Sequence, residues 1–199
     1  MKNLITLTVN STHFYLIECK GGKLLVDAGW ELSQFTSRLK AYQIPISQIR
    51  YVMFTHHHPD HAGLVQDIKN LAGAKMIIHE AQIPFLTLLQ AFYEKKGGYT
   101  PIQIEKDDLV SPDRAALKAI GIEAEILQTP GHSPDSISLV LDSQDAFIGD
   151  LTPPEFASPE NRAEIVESWK RLVAHQARLF YHSHAKPFPL SQIRNQLLE

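Results

Sequence analysis

Short apolar runs separated by polar turns dominate the hydrophobic pattern of this chain. Runs rich in β-branched and aromatic residues, such as residues 4–9 and 14–17, are typical of β-strands. Residues 51–54 are wholly apolar, which is typical of a strand buried on both faces. The pattern predicts strands at residues 4–9, 14–17, 23–26, 51–54, 74–78, 123–127, 136–141, 146–149 and 179–181.

Segments with helical spacing lie between these strands. The pattern predicts helices at residues 33–42, 62–70, 159–178 and 191–198. In residues 81–119, apolar side chains recur at helical spacing before a break at residues 94–98, and a further helix is predicted at residues 113–119. The apolar positions in that segment are Phe85, Leu88, Leu89 and Phe92. We therefore expect a single α/β domain over residues 1–199, with a helical insertion around residues 81–119.

The composition excludes several classes of protein. With a formal net charge of -3, the chain offers no basic field for capturing nucleic acid or an anionic membrane. No long apolar run could span a bilayer, and residues 1–9 make a poor signal peptide, so we expect a cytoplasmic protein. The single cysteine, Cys19, excludes zinc sites built on cysteine clusters. The unusual count is ten histidines, because histidine is the commonest metal ligand.

Residues 56–61 read His-His-His-Pro-Asp-His and match the pattern HxHxDH. Side chains two positions apart in a loop can point to the same side, so His56 and His58 can bind one ion. The adjacent Asp60 and His61 can then face a second ion, an arrangement that clamps the attacking and leaving oxygens of a hydrolysis. The loop follows predicted strand 51–54, at the strand end where open α/β sheets collect ligands.

Two neighbouring ions need more ligands than one loop provides, and further candidates follow predicted strands. His132 comes after the turn at residues 129–131, Asp150 after strand 146–149, and His184 after strand 179–181. His182 is a rival to His184, because side chains two positions apart lie on one face if the strand continues. Since distant segments can converge at strand ends, the sequence predicts one centre with two metal ions.

These motifs, in this order, resemble those of the metallo-β-lactamase fold family, and the match runs from Asp27 to His184. The resemblance implies a four-layer αββα sandwich of two mixed sheets, with helices outside and metals at one sheet edge. It implies that Asp27 binds no metal but accepts a hydrogen bond that orients a ligand imidazole or the motif loop. By the family pattern the first metal is held by His56, His58 and His132, the second by Asp60, His61 and His184, and Asp150 is shared between them.

Three positions beside the motifs also allow predictions or depart from the family pattern. His57 lies between two ligands and should point away from the metals, in a structural role. The family usually has Gly-His-Gly around the last histidine, whereas residues 182–185 read His-Ser-His-Ala here. Asp135 stands where the family often has glycine, and we expect a solvated turn residue there.

The activity that the resemblance implies is hydrolysis of a small molecule by a metal-bound hydroxide. A divalent metal lowers the pKa of bound water from about 15.7 toward 7, and the Asp60 carboxylate orients the nucleophile and later carries the proton. We expect an enzyme with two divalent ions, zinc first and iron or manganese as alternatives. The expected substrate is a small ester, thioester or lactone, with neither nucleic acid nor membrane as partner. The sequence does not define the oligomeric state.

Several branches of the family fit less well. The Asp60-His61 pair and the expected location argue against antibiotic hydrolysis, and the acidic balance argues against a nuclease. The segment after Asp150 lacks the tyrosine of lactonases, and we expect no C-terminal helical domain of the glyoxalase II type. Two alternatives remain open. One is a mononuclear iron oxygenase resembling persulfide dioxygenases, with ligands of the His56, His132 and Asp150 type, and the other is a metal-binding module without catalysis.

Overall fold

The computed structural model describes residues 4–95 and 100–197, whose strands form two mixed β-sheets. The first sheet has the order β1-β2-β3-β4-β5-β6, with strands Ile5–Val9, Thr12–Cys19, Gly22–Val26, Ile49–Met53, Lys75–Ile78 and Leu109–Val110. The second has the order β11-β10-β9-β8-β7, with β7 to β11 at Ala124–Gln128, Ile137–Leu141, Asp145–Gly149, Leu179–His182 and Phe188–Pro189. Each sheet combines antiparallel pairs with parallel pairs such as β3–β4 and β9–β10.

Helices connect the strands and cover the sheets. Helices α1 to α6 span Leu32–Ala41, Pro59–Ala62, Val65–Ala72, Leu86–Glu94, Arg114–Ala119 and Arg162–Ala174. Short 3-10 helices lie at Ile46–Gln48, Glu80–Phe85, Pro154–Phe156, Leu190–Gln192 and Arg194–Leu197. Helix α6 is shorter than the predicted 159–178, and it ends before Gln176, which takes a left-handed φ of 66°. In the parts of the chain that the structure describes, no helix has the length and hydropathy of a membrane span.

Within residues 4–95 and 100–197, the buried apolar residues form three separate cores, which define four layers. Leu24 and Val26 of β3 point between the sheets, where they meet side chains such as Leu139 and Phe147 of the second sheet. Leu25, between them in the sequence, points to the opposite face and packs with residues of α1 and α3. A third core joins the outer face of the second sheet to α6 through Trp169. The predicted αββα sandwich of two mixed sheets is confirmed.

The segment predicted as a helical insertion contains both helices and a strand. Helices α4 and α5 lie in residues 81–119, as does β6, which pairs in parallel with β5. At its C-terminal end the chain forms 3-10 helices where one helix at residues 191–198 was predicted. Residues 96–98 of the predicted break, and residue 198, lie outside the described residues.

Several strands end at one edge of the sandwich, and backbone hydrogen bonds tie their ends together. The Asp27 amide, after β3, donates to the Met53 carbonyl at 2.9 Å, and the Ile137 amide of β8 donates to the Thr55 carbonyl at 2.9 Å. The Ser183 amide, after β10, donates to Gly149 at the end of β9 at 2.9 Å. The loops that carry the predicted ligands therefore meet at this edge.

Candidate metal centre

The HxHxDH motif after β4 combines an extended residue with a short helical turn. His58 is extended, with φ -61° and ψ 147°, and Pro59 begins the one-turn helix α2. Proline suits the first position of a helix because its φ is already helical and it lacks an N–H group to satisfy. Asp60 and His61 consequently lie on a helical turn, where the sequence alone predicted a loop.

The first group of candidate ligands consists of His56, His58 and His132. His58 Nδ1 lies 3.0 Å from His56 Nε2 and 3.1 Å from His132 Nε2. Burial lowers the pKa of each of the three, most strongly for His56. Neutral imidazoles have a free nitrogen lone pair, so this group is ready to bind a cation at neutral pH.

His132 reaches this group from the second sheet because α6 supports its turn. The Ser168 hydroxyl of α6 donates to the Pro130 carbonyl at 2.7 Å. Gly131 has a φ of 136°, and a Cβ there would meet Ile165 Cγ1 of α6 at 2.5 Å. Glycine therefore allows the turn to lie directly on the helix.

The second group consists of Asp60, His61 and His184. Asp60 Oδ2 lies 3.5 Å from His61 Nε2 and 3.2 Å from His184 Nε2. Burial alone would raise the pKa of Asp60, but the hydrogen bond from His184 and the neighbouring His61 lower it to about 2. Asp60 is consequently anionic at neutral pH.

The hairpin between β1 and β2 holds two members of the second group. The Thr12 hydroxyl donates to Asp60 Oδ2 at 3.1 Å. His184 Nδ1 donates to the Ser11 carbonyl at 2.9 Å, which leaves its Nε2 facing Asp60. Sequence reasoning missed both hairpin residues, because they are separated from their partners by 48 and 173 positions and no motif marks them.

Asp150 lies between the two groups. Its Oδ2 is 4.0 Å from His56 Nε2 and 3.6 Å from His132 Nε2 on one side. On the other side it is 3.3 Å from His61 Nε2 and 3.2 Å from His184 Nε2. Burial acts to raise the pKa of Asp150, but the neighbouring His184 and His61 hold it well below its usual range. This carboxylate faces both groups.

The donor set fits divalent metal ions. Ligands at 2.0–2.1 Å from a tetrahedral zinc are about 3.4 Å apart, close to many of the spacings in the cluster. His61 Nε2 and Asp150 Oδ1 are buried polar atoms without a hydrogen-bond partner in the part of the chain that the structure describes, and unsatisfied buried groups are costly. Among the described residues, three sets have ligand atoms within 4.8 Å of one another: His56, His58 and His132; His56, His61 and Asp150; and Asp60, His61 and His184.

Asp27 lies beneath the second group and is completely buried. Its Oδ1 accepts from the Thr55 amide at 2.7 Å, and its Oδ2 accepts from the Ser183 hydroxyl at 3.0 Å. His61 Nδ1 lies 2.9 Å from Oδ2, so this ring donates to Asp27 and directs its Nε2 toward Asp60 and Asp150. Asp27 thus holds the His61 ring, and it is in no ligand set found among the described residues.

The environment of Asp135 corrects the sequence-based expectation. Asp135 is completely buried, not solvated. Its Oδ2 accepts from the His57 amide at 2.8 Å, its Oδ1 lies 2.8 Å from His57 Nδ1, and the Ser133 hydroxyl also donates to it. The prediction failed because the partner that compensates for burial lies 78 positions away in the sequence. His57 points away from the candidate ligands, as predicted, and its ring also packs against Phe85.

The structure brings His184, and not His182, into the cluster. The pairing of β10 with β9 shifts register between Tyr181 and His182, so simple alternation along the strand is lost. His182 Nδ1 accepts from the His184 amide at 2.9 Å. Burial lowers the pKa of His182 to about 4, and the residue belongs to no ligand set found among the described residues.

Comparison with known proteins agrees with the fold. A model of the metallo-beta-lactamase superfamily matches residues 7–184. The beta-lactamase-like protein 2 homolog of Caenorhabditis elegans is 31% identical over 147 residues, 72% of this chain and 45% of that protein. The probable polyketide biosynthesis zinc-dependent hydrolase PksB of Bacillus subtilis (strain 168) is 26% identical over 143 residues, 70% of this chain and 55% of that protein. The chain spans about half the length of the curated relatives it matches.

Solved structures give the same result for the fold. The metallo-beta-lactamase family protein TTHA1429 from Thermus thermophilus superposes with a TM-score of 0.73 at 21% identity. The match covers 98% of this chain and 76% of that one. The family model spans most of the sequence, and the fold agrees with it. This chain belongs to the metallo-beta-lactamase superfamily.

Proposed function

We propose that this protein is a two-metal hydrolase that cleaves a small ester, thioester or lactone. The observation that carries the proposal is the position of Asp150, whose Oδ2 lies 3.2–4.0 Å from histidines of both ligand groups. A carboxylate placed in this way can bridge two ions a few ångströms apart. The similarity to a zinc-dependent hydrolase of Bacillus subtilis supports the reaction class.

Each ligand group would hold one of two metal ions. His56, His58 and His132 would hold the first ion, Asp60, His61 and His184 the second, and Asp150 both. When bound, the ions would supply a water ligand with its pKa lowered toward 7 and a Lewis acid for the substrate carbonyl. The hydrogen bond from His61 to Asp27 fixes which ring nitrogen faces the second ion.

Asp60 is the residue to which we assign proton movement. Its carboxylate is anionic at neutral pH and is held by the Thr12 hydroxyl. It can accept a hydrogen bond from the attacking water, orient it toward the carbonyl carbon, and pass the proton to the leaving group. His132 and His184 are exposed, so a substrate can approach from solvent while His56 and His61 form a buried floor.

Metal analysis combined with a substrate panel tests the proposal. Zinc-loaded protein is expected to contain two ions per chain and to hydrolyse at least one of p-nitrophenyl acetate, an aryl thioester and a γ-lactone. Asp60→Asn should lower kcat/KM by about 10²- to 10⁴-fold. His175→Gln is the matched control, because the His175 side chain hydrogen-bonds to Glu125 on the surface, and it should leave the rate unchanged.

Two outcomes would overturn the proposal. One iron per chain, with oxygen consumed in the presence of a persulfide, would identify the mononuclear oxygenase. Two bound ions without hydrolysis of any substrate in the panel would identify a metal-binding module.

A further inference from the structure

A single buried carboxylate joins the two loops that carry the first ligand group. Asp135 comes three positions after His132, in the turn between β7 and β8. Its two oxygens bind the amide and the ring of His57, which lies between His56 and His58. The two ligand-bearing loops, one from each sheet, therefore meet at Asp135.

The contact restrains both the backbone and the side chain of His57. One oxygen of Asp135 accepts the His57 amide and the other lies 2.8 Å from Nδ1 of the same residue. On another side of the His57 ring, Phe85 packs with ring centroids 5.3 Å apart. With the His57 ring held in this way, the side chains on either side of it, His56 and His58, face each other with nitrogens 3.0 Å apart.

The other end of the contact restrains the loop of His132. The Ser133 hydroxyl donates to the Asp135 carboxylate, and the Ser136 amide donates to the Ser133 carbonyl at 3.1 Å. A buried carboxylate with several hydrogen bonds is strongly held, because loss of any partner would leave its desolvation free energy uncompensated. The distance between the loops of His57 and His132 is thus set by a group that binds no metal itself.

We propose that Asp135 is a positioning residue that holds His56, His58 and His132 at the spacing of a metal site by clamping His57. The proposal rests on the metal binding in the proposed function, and it gives this chain's departure from the family glycine a role. Replacing a residue that orients metal ligands typically lowers metal affinity by about 10- to 100-fold, and we expect a loss of this size for Asp135.

Zinc affinity, measured by competition with a chromophoric chelator, tests the role without reference to catalysis. Asp135→Asn should lower the zinc affinity of the first ligand group by about 10- to 100-fold. Asp108→Asn is the matched control, because Asp108 is also a buried carboxylate that binds backbone amides, those of Met76 and Glu105. Its partners include the second residue of β5, away from the strand ends that carry the ligands, so it should lower stability while leaving zinc affinity unchanged.

Variants of His57 provide a second test that does not depend on the folding of Asp135→Asn. His57→Asn retains a side-chain N–H group near the position of Nδ1 and should keep zinc affinity close to that of the wild type. His57→Leu removes the donor and should lose as much affinity as Asp135→Asn. The double variant Asp135→Asn/His57→Leu should bind zinc as tightly as either single variant, because both substitutions remove the same interaction.

Thr12→Val separates the two ligand groups, since Thr12 donates to Asp60 of the second group. Thr12→Val should lower the affinity of the second ligand group for zinc, whereas Asp135→Asn should lower that of the first. Unchanged zinc affinity in Asp135→Asn, or equal losses in Asp135→Asn and Asp108→Asn, would overturn the positioning role while leaving the proposed function intact. Failure of the wild type to bind zinc would instead overturn the proposed function and the positioning role with it.

Discussion

At the scale of single residues, the hydrogen bonds of Asp27 determine what His61 can do. An imidazole has two nitrogens, and the bond made by one decides whether the other carries a proton. Because the ring of His61 donates from Nδ1 to Asp27, its Nε2 presents a lone pair to the cluster when the ring is neutral. Asp27 has a φ of 62°, a left-handed conformation that aspartate adopts more readily than most residues.

Replacing Asp27 by asparagine should therefore disturb metal binding through the tautomer of His61. The amide oxygen would keep the bond from the Thr55 amide, which places the NH2 group against His61 Nδ1. The ring proton would then move to Nε2, the atom that should face the metal. We expect about 10- to 100-fold weaker binding of one zinc equivalent, measured by chelator competition.

Asp145→Asn controls for the general cost of changing a buried carboxylate. Asp145 is buried at the start of β9, at the opposite end of that strand from Asp150, and accepts from Ser143 at 2.5 Å. It should alter urea unfolding but not zinc affinity. Two zinc equivalents bound by Asp27→Asn as tightly as by the wild type would contradict the tautomer argument.

At the scale of elements, the ends of β4 and β9 approach so closely that only glycine fits between them. Gly149 ends β9 with a φ of 55°, and a Cβ there would lie 2.5 Å from Thr55 Oγ1 and 2.7 Å from Thr55 Cβ. Thr55 precedes His56, and Gly149 precedes Asp150. The close approach of these strands thus brings ligands of the two sheets together.

Gly149→Ala and Gly73→Ala form a matched pair that isolates this contact. Gly73 has a similar φ of 65°, but no atom lies within 4 Å of its Cβ position. Alanine at Gly73 should cost only the left-handed strain of about 1–2 kcal/mol. Alanine at Gly149 should cost roughly 1–3 kcal/mol more because of overpacking, measured as free energies of unfolding in urea. Equal losses in the two variants would show that the strands can separate without cost.

The sequence predicted elements well where local pattern and tertiary environment agree. Strands β4 and β9 are apolar over most of their length, with β9 buried throughout and β4 buried at three of its five positions, and the apolar runs are visible in the sequence. Strands β6 and β11 have only two residues each and are defined by pairing with distant strands, so no local pattern predicts them. Helix α2 was hidden because a single turn carries no periodicity.

Candidate ligands were easier to predict than the residues that support them. Metal chemistry restricts ligands to a few residue types, and here they follow strands, so motif and position point to the same side chains. Asp135 was misjudged because its local surroundings are those of an ordinary polar turn. Its burial depends on His57, which only the packing of the two sheets brings to it.

At the scale of the whole molecule, the candidate ligands come from both sheets. The loop after β4 of the first sheet carries His56, His58, Asp60 and His61. The second sheet contributes His132, Asp150 and His184, which follow β7, β9 and β10. Bound metal would consequently link the two halves of the sandwich at one edge, in addition to the apolar core between the sheets.

Removal of metal should therefore loosen this edge more than the centre of the sandwich. A ligand present at 1,000 times its Kd stabilises the folded state by about 4 kcal/mol, and that stabilisation disappears on chelation. Hydrogen exchange of the Thr129, Ser136 and Ser183 amides, which close the ligand loops, should accelerate in the metal-free protein. The amides of Leu25 and Leu139, in the middle of the sheets, should keep most of their protection, because the core there does not depend on the metal. Chelator already saturated with zinc is the control, and uniform loss of protection across both sheets would contradict a link confined to the edge.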